Sequence, residues 1–254
     1  MNNSILYLSA VCRMILMHVK RVLLGYQTYK GNFGQIAHKI VKQSFHKKKY
    51  LQVSRGHYRC FYCRDFGMIT ESLLNEGYVE EVRSTLHYAL RIFSKRNYVA
   101  TTILHNEPVD FFHFGSDSLP FLMRSLRLYS EHTQDHSLIN TYQTFLQGCV
   151  NHYYQKVYDQ NTFLIKKNIT LSGAKDHYKR RSSTYDNSAM IGLAIEIKKI
   201  NTLAGTSFNY PISIQTSKQA MKRHLWSEKG GFYDDLDCEE HSTSDANIFP
   251  YYWG

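Results

Sequence analysis

Residues 187–203 read NSAMIGLAIEIKKINTL, and the reading of this stretch decides the fold. Ala189, Met190, Ile191, Leu193, Ala194, Ile195, Ile197 and Ile200 fall on more than one side of a helix. A helix with a single apolar stripe lies on a surface, whereas one apolar nearly all round is enclosed by neighbours. The stretch therefore predicts a helix over 187–203 with other helices around it. Tyr185-Asp186-Asn187 stands at its entrance, and aspartate there is a residue type that caps helices.

Working outward, helical spacing recurs along most of the chain. Towards the N-terminus it predicts helices over 136–155, with Asp135 as cap, and over 117–130, capped by Ser116 or Asp117. Before them it predicts 79–93, a short helix over 67–75 stopped near Gly77, a weaker one over 33–44, and a first helix over 4–25. Towards the C-terminus a helix over 212–227 ends at Leu225-Trp226, followed by a Gly-Gly turn and an acidic loop. The result is roughly eight helices and no long strand, a count that rests on periodicity. The spacing is irregular and the loops are long and varied, which excludes a tetratricopeptide-like array. Successive helices then lie side by side as antiparallel pairs.

The chain has 254 residues, 43% hydrophobic and 20% charged, which excludes disordered and collagen-like classes. Its net charge is +10, but the basic residues are scattered. The one dense run, Phe45-His46-Lys47-Lys48-Lys49-Tyr50, reads as a solvated loop, and no nucleic-acid signature follows it. No nucleic-acid partner is expected. Residues 4–24 are interrupted by Arg13 and run into His18, Lys20 and Arg21. They read as an amphipathic helix rather than a signal peptide or membrane span. Five cysteines, an odd and sparse set, point to free thiols in a reducing compartment, so a cytoplasmic location is expected. Cys60 and Cys63 have zinc-ligand spacing but lack a second ligand pair, so no metal is expected. The 20 tyrosines leave two readings open. They are either helix-packing residues with partnered hydroxyls or the lining of a cleft.

Several loops deliver polar residues beside helix starts. They are Arg64-Asp65-Phe66-Gly67, His105-Asn106-Glu107-Pro108, Gly115-Ser116-Asp117-Ser118, Ser172-Gly173-Ala174-Lys175-Asp176 and Tyr185-Asp186-Asn187. Helices arranged in a ring would gather these loops at one face. Arginines, carboxylates and aromatic rings together suit a carbohydrate. Hydrolysis of a glycosidic bond needs a protonated carboxyl near the leaving oxygen and a second carboxylate near the anomeric carbon. The acid must keep its proton near neutral pH, which calls for partial desolvation. Plain structural roles compete: Asp117, Asp135 and Asp186 as caps, Arg64 and Asp65 as an ion pair. Asp176 neither caps the next helix nor sits on a helix face, so a solvated loop position is its only plain alternative.

The order of these segments resembles the six-hairpin glycosidases, which include trehalases, glucoamylase-like enzymes and debranching glucosidases. CRDFGMITESLLNEGYVEEVRSTLHYAL, Cys63 to Leu90, is similar to their W-x-R-D segment and the helix after it. SDSLPFLMRSLRLYSEHTQDHSLI, YDNSAMIGLAIEI, and LWSEKGGFYDDLD followed by SDANIFPYYWG resemble their later helix openings. The similarity covers residues 55–254. It implies an all-α fold, an (α/α)6 toroid of antiparallel helix hairpins, complete or partial. Residues 1–254 would be a single barrel-type domain that stops short of the last hairpins.

Ser172-Gly173-Ala174-Lys175-Asp176 resembles the S-G-W-D run of trehalases, with one extra residue and no tryptophan. The resemblance makes Asp176 the general acid and Arg180 or Arg181 the arginine that follows. Arg64, Asp65, Asp117, Arg180, Arg181, Tyr185 and Asn187 would bind the sugar. The family's catalytic base comes late in the chain; by location Asp65, Glu107 and Asp117 are the candidates to replace it. The implied activity is inverting hydrolysis of α-linked glucosides or gluco-oligosaccharides, with no cofactor and no membrane partner. Two rival readings are an inactive carbohydrate-binding relative on the same scaffold and a basic helical protein that binds nucleic acid. The oligomeric state is left open.

Overall fold

The computed structural model describes residues 3–26, 28–46, 50–54, 56, 58–110, 113–173, 181–238 and 241–254, without the side chains at 3–7, 9 and 10. Within them ten helices carry the chain. They are α1 (Asn3–Leu24), α2 (Phe33–Ser44), α3 (Cys63–Asn75), α4 (Val79–Ser94), α5 (Ser118–Thr133), α6 (Ser137–Thr141), α7 (Gln143–Val157), α8 (Thr184–Ala204), α9 (Ile214–Leu225) and α10 (Ser244–Trp253). The strands are two or three residues long. β1 (Phe45–His46) pairs with β2 (Tyr50–Leu51). β3 (Phe61–Tyr62), β4 (Thr102–Leu104) and β5 (Glu107–Val109) form an antiparallel sheet. β6 (Phe114–Gly115) runs parallel to β7 (Leu171–Ser172). β8 (Trp226–Ser227) and β9 (Gly231–Phe232) close the Gly-Gly turn.

The buried helix over 187–203 is present and begins earlier, at Thr184. Ser183, not Asp186, caps it: the Ser183 hydroxyl accepts the Asp186 backbone N–H at 3.1 Å. At its other end Gly205 takes φ 63°, the left-handed turn that glycine adopts without steric cost. The predicted 67–75 helix starts at Cys63, so Arg64 and Asp65 belong to its first turn rather than to a preceding loop. The 136–155 stretch divides at Tyr142 into α6 and α7. Asp135 does act at its start, accepting the Ser137 N–H at 2.9 Å. The helix expected to run to 227 ends at Leu225. Helix α10 was not legible, because Pro250 sits inside it and a proline ordinarily ends a helical pattern.

The helices fall into two rows. α3, α5, α8 and α10 contact one another in that order, and α4, α7 and α9 link them from outside. Cross-contacts fix the direction of the inner row. Arg64 meets Asp117 at the starts of α3 and α5, and Thr70 meets Ser125 two turns further along both. Tyr185 meets Asp117 at the start of α8, and Glu196 meets Arg127 further down. Tyr185 packs on Phe249, and Gly192 receives Trp253, so α10 runs the same way. Four parallel inner helices, the first three each followed in the chain by an outer one, are the hairpin arrangement of an (α/α) toroid.

Glycine sets the inner spacing. A Cβ on Gly67 would lie 2.6 Å from the Phe121 side chain, and one on Gly192 would enter the Trp253 indole. The apolar core follows this geometry, with Phe61, Leu86, Leu122, Leu126, Met190 and Leu193 fully buried. Several tyrosines pack into it, some with partnered hydroxyls: Tyr153 donates to the Ser116 carbonyl at 2.6 Å, whereas the buried Tyr210 hydroxyl has no partner among the described residues. α1 stands apart, with Leu16, Val22, Leu23 and Leu24 exposed. Among the described residues no helix is long and apolar enough to cross a membrane.

Candidate functional site

The parallel inner row brings the N-termini of α3, α5 and α8 together, and three of the predicted site residues meet there. Asp117, at the N-cap position of α5, is fully buried. Its Oδ2 accepts from Arg64 Nε at 2.6 Å and from the Tyr185 hydroxyl at 2.5 Å. It was expected to cap α5 and does not; its side chain turns instead to the neighbouring helices. Asp117 Oδ1 is buried and has no hydrogen-bond partner among the described residues. A buried carboxylate oxygen without a donor is costly, so its natural complement is a donor supplied by a ligand or water.

The electrostatics of this cluster follow from burial and one carboxylate. Burial acts most strongly on Arg64 and opposes its charge, yet Asp117 holds the guanidinium well above its ordinary range. Burial, then the Asp117 charge, pushes the Tyr185 hydroxyl far up, so it remains a donor. Asp65, half-buried on the same turn as Arg64, is raised by burial while Arg64 pulls it down.

Asp110 is a carboxyl that sequence reasoning passed over. Its Oδ1 accepts from the Thr101 backbone N–H and hydroxyl, both at 2.7 Å. Burial, reinforced by Asp117, pushes it up to about 7, against backbone bonds from Thr101 and Gly115 and the Lys156 charge. The available signal was its place between Glu107 and Asp117 in the run that ends at Phe114. Glu107, by contrast, is committed to Arg96 at 2.9 Å.

The loop that bears Asp176 is anchored at both ends. Upstream, β7 lies against β6, and the Ser116 N–H donates to the Ser172 carbonyl at 3.0 Å. Downstream, Asp235 accepts the backbone N–H groups of Arg181 and Ser182 at 2.7 and 2.6 Å. Asp176 and Arg180 lie between these anchors, outside the described residues. The Arg181 side chain reaches Asp237 at 3.5 Å, away from Asp117's partners. Asn187 is buried, and its amide serves the local turn. It accepts from the Ile165 N–H at 2.8 Å and donates to Ser182 and Ser183. The structure thus gathers Arg64, Asp65, Asp117 and Tyr185, and gives Asn187 a scaffolding position.

No protein-family model matches the sequence, and no curated protein matches it either. Solved structures do match. A glycosidase variant in complex with glucose superposes with a TM-score of 0.60 at 11% identity, over 80% of this chain and 59% of its own. A rhamnosidase from Klebsiella oxytoca with rhamnose bound matches at 0.57 and 13%, over 77% of this chain and 38% of its own. The GH78 family rhamnosidase of Bacillus sp. GL1 matches at 0.57 and 12%, over 81% of this chain and 22% of its own. The chain thus spans little more than half the length of the first of these. In its backbone it shares the helical-toroid fold of these structures.

Proposed function

We propose that this chain is a glycoside hydrolase whose innermost sugar site is built on Asp117. The observation that carries the reading is the buried, unpartnered Oδ1 of Asp117, beside Arg64 and Tyr185, where three inner helices begin. A sugar hydroxyl donating to Oδ1 would satisfy it, and Arg64 and Asp65 flank the same position. Asp176, on the loop anchored next to Asp117 at Ser172, is the general acid. The opposing carboxylate activates water, as inversion requires. The leading substrates are α-linked glucosides and gluco-oligosaccharides. The fold's likeness to a glucose-bound glycosidase supports that class, and its likeness to rhamnosidases makes α-rhamnosides the comparison set.

The test is sugar release from α- and β-linked gluco-oligosaccharides and α-rhamnosides by the wild type, Asp176→Asn and Asp117→Asn. The reading expects turnover on α-glucosides, abolished by Asp176→Asn with binding retained, and weakened binding in Asp117→Asn. Sugar binding without turnover in the wild type would make the chain an inactive carbohydrate-binding relative. Absence of both sugar binding and turnover would sink the site.

A further inference from the structure

A second concavity lies where α1, the β1–β2 hairpin, β4 and the outer helix α4 meet, with a volume of about 680 Å³. Arg13, His46, Arg59 and His105 line it, and its described lining carries no carboxylate. Arg13 donates to His105 Nε2 at 3.3 Å, which holds the two side chains together at the rim. The two-residue turn between β4 and β5 places His105 there, with φ 53° at His105 and 65° at Asn106. The floor is a stacked pair of buried tyrosines, Tyr50 and Tyr88, with ring centroids 4.2 Å apart. Tyr88 donates to Asn106 Oδ1 at 3.2 Å.

The positive character continues beyond this cavity. An adjoining concavity of about 530 Å³ shares Tyr88 and Asn106 and adds Arg91, Lys95 and Arg96. Its one acid, Glu107, is already paired with Arg96. Cations gathered with so little acid raise the local potential and favour an oxyanion. Arginine suits one especially, because its fork pairs carboxylate, sulfate and phosphate alike. The rings of Tyr50 and Tyr88 are buried and stack on each other rather than standing open as platforms. Gln43, Gln52 and Asn106 supply amides suited to hydroxyl groups.

We propose that this cavity binds an acidic saccharide, a sugar carrying a carboxylate, sulfate or phosphate, with Arg13 and Arg59 pairing the oxyanion. The oxyanion part stands on the cavity alone; the saccharide part rests on the glycosidase reading. The test is calorimetric titration with one disaccharide in neutral, uronate, sulfated and phosphorylated forms, with inorganic sulfate and phosphate, and with a single-stranded oligonucleotide. At least one charged disaccharide is expected to bind more tightly than both its neutral form and the free ion. The tightest of them identifies the oxyanion. Arg13→Gln/Arg59→Gln, at partly exposed positions, is expected to weaken that binding about tenfold or more, with an unchanged melting curve. Asp117→Asn is expected to leave it unchanged, which separates this site from the sugar site. Equal binding of neutral and charged forms, or wild-type affinity in the double variant, overturns the proposal. Free ions that bind as tightly as the sugars overturn its saccharide part, and binding of the oligonucleotide alone assigns the cavity to nucleic acid instead.

Discussion

At the scale of single residues, Asp117 combines two duties that a substitution can separate. It is the buried counter-charge of Arg64, and its other oxygen has no hydrogen-bond partner among the described residues. Asp117→Ala leaves Arg64 without its partner and is expected to cost about 3–5 kcal/mol in chemical denaturation, the usual result of breaking a buried pair. Asp117→Asn keeps the shape but loses a charged acceptor, worth roughly 1.5–3 kcal/mol, so sugar affinity should fall about 10- to 100-fold. Asp110 makes a prediction of the opposite kind. Its folded carboxyl is raised to about 7 by burial, so folding binds its proton more tightly than the unfolded chain does. Its contribution is therefore fully present below the ordinary aspartate range and is lost as pH rises towards 7. Melting temperatures of the wild type should fall between about pH 4 and pH 7 by more than those of Asp110→Asn, whose side chain does not titrate. Parallel slopes in the two proteins would show that Asp110 does not titrate there.

At the scale of elements, α5 and α8 are held together by a buried ion pair as well as by apolar contact. Arg127 Nε meets Glu196 Oε2 at 2.5 Å, and Glu196 is almost wholly enclosed. Arg127→Ala strands that carboxylate and is expected to cost about 3 kcal/mol, read as a drop of roughly 10 °C in melting temperature. Arg127→Met paired with Glu196→Leu should recover much of the loss, since an apolar pair replaces a buried ionic one at little cost. Glycine governs the α3–α5 and α8–α10 contacts. Gly67→Ala places a methyl 2.6 Å from the Phe121 side chain. Overpacking of this kind costs about 1–3 kcal/mol, measured by denaturant titration, although alanine is the better helix former. A stabilised Gly67→Ala variant would show that the helices have room to separate.

At the scale of the whole molecule, the two ends of the chain are joined to it differently. α10 packs Trp253 into Gly192, Phe249 on Tyr185 and Tyr252 beneath the Arg124 guanidinium. α1 instead exposes much of its apolar surface and reaches the rest through contacts such as Arg13 with His105. A chain ended after Thr243 loses the buried Ala246 and Trp253 and opens a groove against α8, so it should lose several kcal/mol and bind a hydrophobic dye. A chain begun at Thr28 should melt within a few degrees of the full one, the shift expected from about 1 kcal/mol or less. Comparable losses from both truncations would show that α1 is as much a part of the core as α10.

The sequence by itself determined the helical elements and the candidates. The all-round apolar pattern of 187–203 marked an enclosed helix, and helical spacing placed most of the others. Local chemistry also reached Asp135 at the start of α6, and the resemblance named Arg64, Asp117 and Tyr185, which the fold brings into contact. What it left undecided depends on contacts between residues distant in the chain. Capping preference favoured Asp117 and Asp186 as caps. Asp117 turned to Arg64 and Tyr185 because burial makes a charged partner worth more than an end-of-helix N–H, and Ser183 took the cap of α8. Pro250 argued against α10, and packing against Gly192 and Tyr185 overrode it. Asn187 gained its bond to the Ile165 backbone only once the fold brought that segment to it. Asp110 acquired its raised carboxyl only when folding buried it beside Asp117, a like charge that desolvation leaves unscreened. Periodicity and residue type act within a few turns of chain and can be read along it; burial and charge partnership arise between helices and exist only once the inner row has assembled.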